Sequence, residues 1–84
     1  MAEALKQLIA RLETIAKLNK DDFSYSIGII AKNPMEFRFL CKDSAKAHIM
    51  LDGWGLTIEA ACIEAEDQIE GMCEDWGYEL PKKG

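Results

Sequence analysis

Between Ile58 and Leu80 the chain carries eight carboxylates, Glu59, Glu64, Glu66, Asp67, Glu70, Glu74, Asp75 and Glu79, and neither a lysine nor an arginine. Carboxylates can exchange protons, ligate cations or imitate phosphates, and their spacing decides which. Acid–base catalysis needs groups that converge in a cleft. Here the acids recur at helical intervals, so Glu59, Glu66, Asp67, Glu70 and Glu74 project from one convex face, with Glu64 and Asp75 flanking the apolar stripe opposite. Carboxylates spaced about 5 to 6 Å apart along a helix resemble a row of phosphates and suit a basic groove on another protein. Ile63 sits among them on the outward side, where an apolar residue has no core role and can anchor a contact. The expected partner-binding set is therefore Glu59, Ile63, Glu66, Asp67, Glu70 and Glu74. No catalytic constellation, metal-ligand spacing or cofactor motif accompanies it, so a non-enzymatic protein without a cofactor is expected.

The other reactive side chains are few. Cys41, Cys62 and Cys73 form an odd set without CxxC spacing, which argues against a disulfide framework. Cys62 and Cys73 would share the apolar face of one helix, so all three read as buried thiols acting as small hydrophobes. His48 is the single histidine and has no companion ligand or nucleophile at a recognisable spacing.

Net charge is −5, but residues 1 to 58 are nearly balanced and the negative charge belongs to the final third. Such a surface repels nucleic acid and anionic membranes, whose binders need a basic footprint. The like-charge neighbours Glu66 with Glu70, Glu70 with Glu74, Glu64 with Asp67 and Asp67 with Glu70 each cost about 0.2 to 0.5 kcal/mol. Glu74 and Asp75 also oppose the helix dipole. The bland explanation is that Lys6, Lys17 or Lys20 of a neighbouring helix neutralises these acids. The sharper one is that a partner does.

A chain of 84 residues fits one domain, residues 1–84, with a single small core. Leu5, Leu8, Ile9, Leu12, Ile15 and Ala16 recur at helical spacing and predict an amphipathic helix over residues 3 to about 18. The amino terminus lacks a signal-peptide core, so a soluble cytoplasmic protein is expected. "FSYSIGIIA" predicts a first strand with Phe23, Tyr25, Ile27 and Ile29 inward. "KNP" makes a turn, and "MEFRFLCK" predicts a second strand with Met35, Phe37, Phe39 and Cys41 inward. After "DSAK", "AHIML" predicts a third strand with Ala47, Ile49 and Leu51 inward. "DGWGLT" reads as a glycine-rich turn leading to Thr57 as helix cap. Ile58, Ala61, Cys62, Ala65, Ile69, Met72, Cys73 and Trp76 then fall on one arc, predicting one helix over about 58–76. Gly77 terminates it, and residues 80–84 read as a flexible tail.

This order, helix, three strands, helix, predicts an α+β fold: a three-stranded antiparallel sheet with both helices packed on one face. The opposite sheet face would present Ile30, Arg38, Leu40, His48 and Met50, a second interface candidate suited to a homodimer or another partner. Trp54 either caps the core from its loop or stands exposed, whereas Trp76 is expected in the core.

The element order resembles the double-stranded-RNA-binding domain. That family implies a basic cluster at the start of the second helix, where this chain has "TIEAACIEAED", so RNA binding is not expected. "GLTIEAACIEAEDQI" followed by "WGYELP" resembles the strand-to-helix segment of HicB-type antitoxins, through Gly55, Thr57, Glu59, Ala60, Ala65, Ile69, Gly77, Leu80 and Pro81. That resemblance implies neutralisation of a small basic nuclease. In size, acidity and element order the chain is also similar to phage-encoded anti-defence proteins of the anti-CRISPR kind. This implies an inhibitor in the host cytoplasm that occupies the basic nucleic-acid groove of its target.

Overall fold

The computed structural model describes residues 3–20, 23–32, 36–44 and 48–80. It consists of α1 (Glu3–Leu18), β1 (Tyr25–Lys32), β2 (Glu36–Asp43), β3 (Ile49–Gly55), α2 (Ile58–Asp67) and α3 (Ile69–Trp76). The strands form one antiparallel sheet in the order β1-β2-β3, with Ile29 opposite Phe39 and Phe39 opposite Gly53. The fold is the expected α+β arrangement. Helices cover one sheet face, and Leu8, Leu12 and Ile15 of α1 share a single core with Phe39, Cys41 and Leu51 of the sheet and with Ala61, Cys62, Ala65, Ile69 and Cys73. Among the described residues no helix is long and apolar enough to cross a membrane.

β3 departs most from expectation. "DGWG" is strand, not turn: Asp52 to Gly55 continue the ladder with β2. The two glycines serve close packing. A Cβ on Gly53 would lie 2.1 Å from the Ala61 carbonyl oxygen, and one on Gly55 would lie 2.6 Å from the Ala61 nitrogen. With Ala60, Ala61 and Ala65 on the facing helix, backbone meets backbone. A register shift beside Cys41 and Lys42 also inserts Met50 as an extra residue in β3. Such a bulge rotates side chains relative to strict alternation. Met50 and Leu51 are therefore both buried, and Ile49, expected inward, is 49% exposed. Ala47 and Met35 lie outside the described residues, as do residues 81–84 of the expected tail.

The long second helix is two helices. Gln68 interrupts it: its N–H donates to the Ala65 carbonyl, the Met72 N–H donates to the Gln68 carbonyl, and its side chain turns to the sheet. Thr57 caps α2 as expected, its hydroxyl accepting from the Ala60 N–H at 3.0 Å. Gly77 ends α3 in the left-handed region at φ 74°, where glycine has no Cβ to strain. Trp76 is half-buried rather than in the core, and its ring lies 5.4 Å from that of His48.

A second side-chain amide closes the chain. The Asn19 amide donates to the Glu79 carbonyl at 3.1 Å, and the Glu79 N–H donates back to Asn19 Oδ1 at 3.0 Å. Beside it, Tyr78 packs its ring 4.9 Å from Phe23, which stacks on Tyr25.

Candidate functional site

The acids of α2 and α3 divide by what they touch. Glu59 lies in the first turn of α2, and its Oε1 accepts the Ala4 N–H at 2.9 Å. A carboxylate there satisfies an otherwise unpaired donor at the start of α1 and meets the positive end of its dipole. Glu59 is thus engaged within the fold, a correction to its expected place in a free partner-binding set. Glu64 accepts the Trp54 N–H at 3.3 Å. Glu66, Asp67, Glu70, Glu74 and Asp75 have no lysine or arginine within ion-pairing distance among the described residues, where Arg38 and Asp52 form the ion pair that does occur. Neither Lys6, Lys17 nor Lys20 forms an ion pair with these acids. Neither α2 nor α3 has a basic residue in its last turn. Ile63 is 53% exposed in the same segment, Asp67, Glu70, Glu74 and Asp75 are exposed and Glu66 is half-buried.

The outer sheet face is a different kind of surface. Leu40 is 8% exposed and Met50 9%, and Met50 belongs to the core, so neither serves as an interface anchor. Leu40 is on the central strand, between Gly28 of β1 and Asp52 of β3, and the bulge turns Met50 inward. His48 sits against Trp76 of α3, away from this face. Arg38 is committed locally: its Nε donates to Asp52 Oδ1 at 2.7 Å and its Nη2 to Oδ2 at 2.6 Å, while the guanidinium lies 4.7 Å from the Trp54 ring centre. The hydrogen bonds from Arg38 hold the Asp52 carboxyl below the usual carboxylate range. Trp54 stands exposed on this face, stacked on a guanidinium already fixed by its ion pair. Ile30 remains exposed as expected.

The cysteines are free and buried. Burial pushes the Cys41 thiol up to about 12, with Asp43 adding to the rise, and burial likewise raises Cys62 and Cys73. Such thiols are poor nucleophiles at neutral pH. Among the described residues no three histidine, cysteine or acidic side chains converge to hold a metal ion.

Sequence reasoning missed the two amides, Gln68 and Asn19. Each pairs with a backbone residue in both directions, and nothing in local periodicity marks them. Compared with protein-family models, curated proteins and solved structures, the chain matches none.

Proposed function

We propose that the chain is a non-enzymatic protein-binding module that lays its α2–α3 carboxylate surface on a basic groove of a nucleic-acid-handling protein. The observation that carries this reading is that Glu66, Asp67, Glu70, Glu74 and Asp75 form no ion pair among the described residues, while Glu59 and Glu64 of the same segment are used by the fold. Glu70 and Glu74 are like-charge neighbours one turn apart in α3, and a face that forms no ion pair of its own is suited to compensation from outside. Ile63 supplies the apolar contact at its edge. The similarity in size, acidity and element order to phage-encoded anti-defence proteins suggests the kind of target, a groove that otherwise holds DNA or RNA.

The test is capture from nuclease-treated host lysate with the wild-type chain and two variants. Exchanging Glu66, Glu70 and Glu74 together for lysine should abolish capture while the helical circular dichroism is retained. Glu59→Ala should leave capture intact and lower stability by about 0.5 to 1 kcal/mol, because it removes an acceptor at the start of α1. The captured protein should be released by added duplex nucleic acid and by moderate salt. Capture that survives the triple exchange, or that duplex does not displace, overturns the proposal.

A further inference from the structure

β1 borders the sheet with its outer side bare. The Ser44 N–H donates to the Ser24 carbonyl, which fixes the alternation of the β1–β2 ladder. The backbone groups of Ser26, Gly28, Ile30 and Lys32 therefore face β2, and those of Tyr25, Ile27, Ile29 and Ala31 face outward. No described group pairs with the outward set. The helices lie over β2 and β3 and leave the far half of β1 uncovered on both faces. Ile29, expected in the core, is 42% exposed, and Ile30 on the other face is 38% exposed. An eight-residue apolar edge strand of this kind is a template for further pairing.

We infer that β1 is a dimerisation strand, pairing antiparallel with β1 of a second copy so that the two sheets become one. Three observations select a second copy as the occupant. Gly28 has neither a positive φ nor a neighbour that a Cβ would meet, so nothing inside the fold explains it. Placed on a two-fold axis, it would stand opposite itself in a pair without mutual hydrogen bonds, where strands approach most closely and a missing side chain admits the partner backbone. Ile30 of each copy then leans over the gap above the other copy's Gly28, a recess of about 290 Å³ lined by Ser26, Ile30, Leu40 and Lys42 among others.

Charge is the second selector. Lys32 is the one charged residue of β1, and antiparallel pairing sends the two copies of it to opposite ends. The acidic α2–α3 surface belongs to the β3 side, so pairing through β1 keeps the two negative faces apart. From β3 of one copy to β3 of the other is roughly 24 Å at about 4.8 Å per strand, well beyond a Debye length of about 8 Å at physiological salt. The third selector is closure. At β3 the outward groups of Asp52 and the Trp54 N–H are already bonded to α2 and the Gln68 side chain, so a β1-to-β3 contact cannot form and pairing stops at two copies. The paired strands would exchange ~8 backbone hydrogen bonds, within the usual range for a specific interface of roughly 10.

Sedimentation of the full chain across a concentration series, with amide hydrogen exchange at both ends of it, tests the inference. The mass should rise towards twice the monomer value, and the amides of Ile27, Ile29 and Ala31 should be protected at high concentration and exchange at least tenfold faster at low concentration. Ile29→Pro removes an outward donor without touching the β2 ladder and should leave a folded monomer; Ile29→Lys should do the same through charge. A chain that stays monomeric throughout overturns the inference. So does a dimer in which those amides remain unprotected, because it would be joined elsewhere.

Discussion

β3 and β1 both border the same sheet, and their outward backbone groups are treated in opposite ways. At β3 the Asp52 N–H donates to Gln68 Oε1 at 2.9 Å and the Asp52 carbonyl accepts from Gln68 Nε2 at 2.8 Å, with Glu64 taking the Trp54 N–H one step along. At β1 the corresponding groups of Ile27, Ile29 and Ala31 meet no described partner. Glycine follows the same division. Gly53 and Gly55 are enclosed by α2, whereas Gly28 is open. One edge has been closed by side chains of a helix that glycine allowed to come close, and the other has been left with a gap of its own. Glycine in a strand thus has two distinct causes, and only its surroundings tell them apart.

The largest effect is expected from the same substitution made on both strands. Gly53→Ala places a methyl against the Ala61 backbone, which cannot yield without lifting α2, and should cost about 3 kcal/mol or more in a urea unfolding curve. Gly28→Ala meets nothing and should leave the monomer unchanged or raise its stability by about 0.5 kcal/mol. Equal effects at the two positions would mean that α2 does not sit where β3 requires it.

A smaller effect is expected where a side chain rather than the backbone closes the edge. Gln68→Ala strips Asp52 of both outward partners and should cost about 1 to 3 kcal/mol. Its signature is local: the Asp52 amide should exchange as fast as an open edge amide, so that β3 comes to resemble β1. Retained protection at Asp52 would show that another group covers that edge.

The smallest effect belongs to acid. Asp52 titrates below the ordinary carboxylate value because of its hydrogen bonds from Arg38. Its contribution is fully present above the unfolded value of about 3.9 and is lost as pH falls through the lower folded value. Asp52→Asn should therefore flatten the decline of melting temperature below pH 4 relative to wild type. An identical acid limb in both proteins would mean that the Arg38 pair does not stabilise the β3 side of the sheet.

Much of this was legible in the residues. The stripe of Leu5, Leu8, Leu12 and Ile15 predicts α1, and the alternation around Phe37, Phe39 and Cys41 predicts β2, because each pattern reports directly on a buried face. "DGWG" misleads because its glycines answer to Ala61 and Ala65, a cause lying outside the local window. Met50 and Ile49 change places because a bulge is a property of pairing, not of one strand. Gln68 is an ordinary helix former, so the break it makes is invisible until its amide has somewhere to go. The outward carboxylates were legible as a stripe; that Glu59 is held by Ala4 was not, since the two are 55 positions apart.

That last contact and its counterpart at the other end of α1 bear on how the chain comes into being. Ala4 waits for Glu59, and Asn19 waits for Glu79, 60 positions on. During synthesis α1 can be fastened at neither end until the segments that carry Glu59 and Glu79 have been made. Closure of so distant a contact before its reward favours a single late event over stepwise assembly. A chain made only as far as β3 would therefore carry α1 unfastened at both ends, since neither Glu59 nor Glu79 would yet be present.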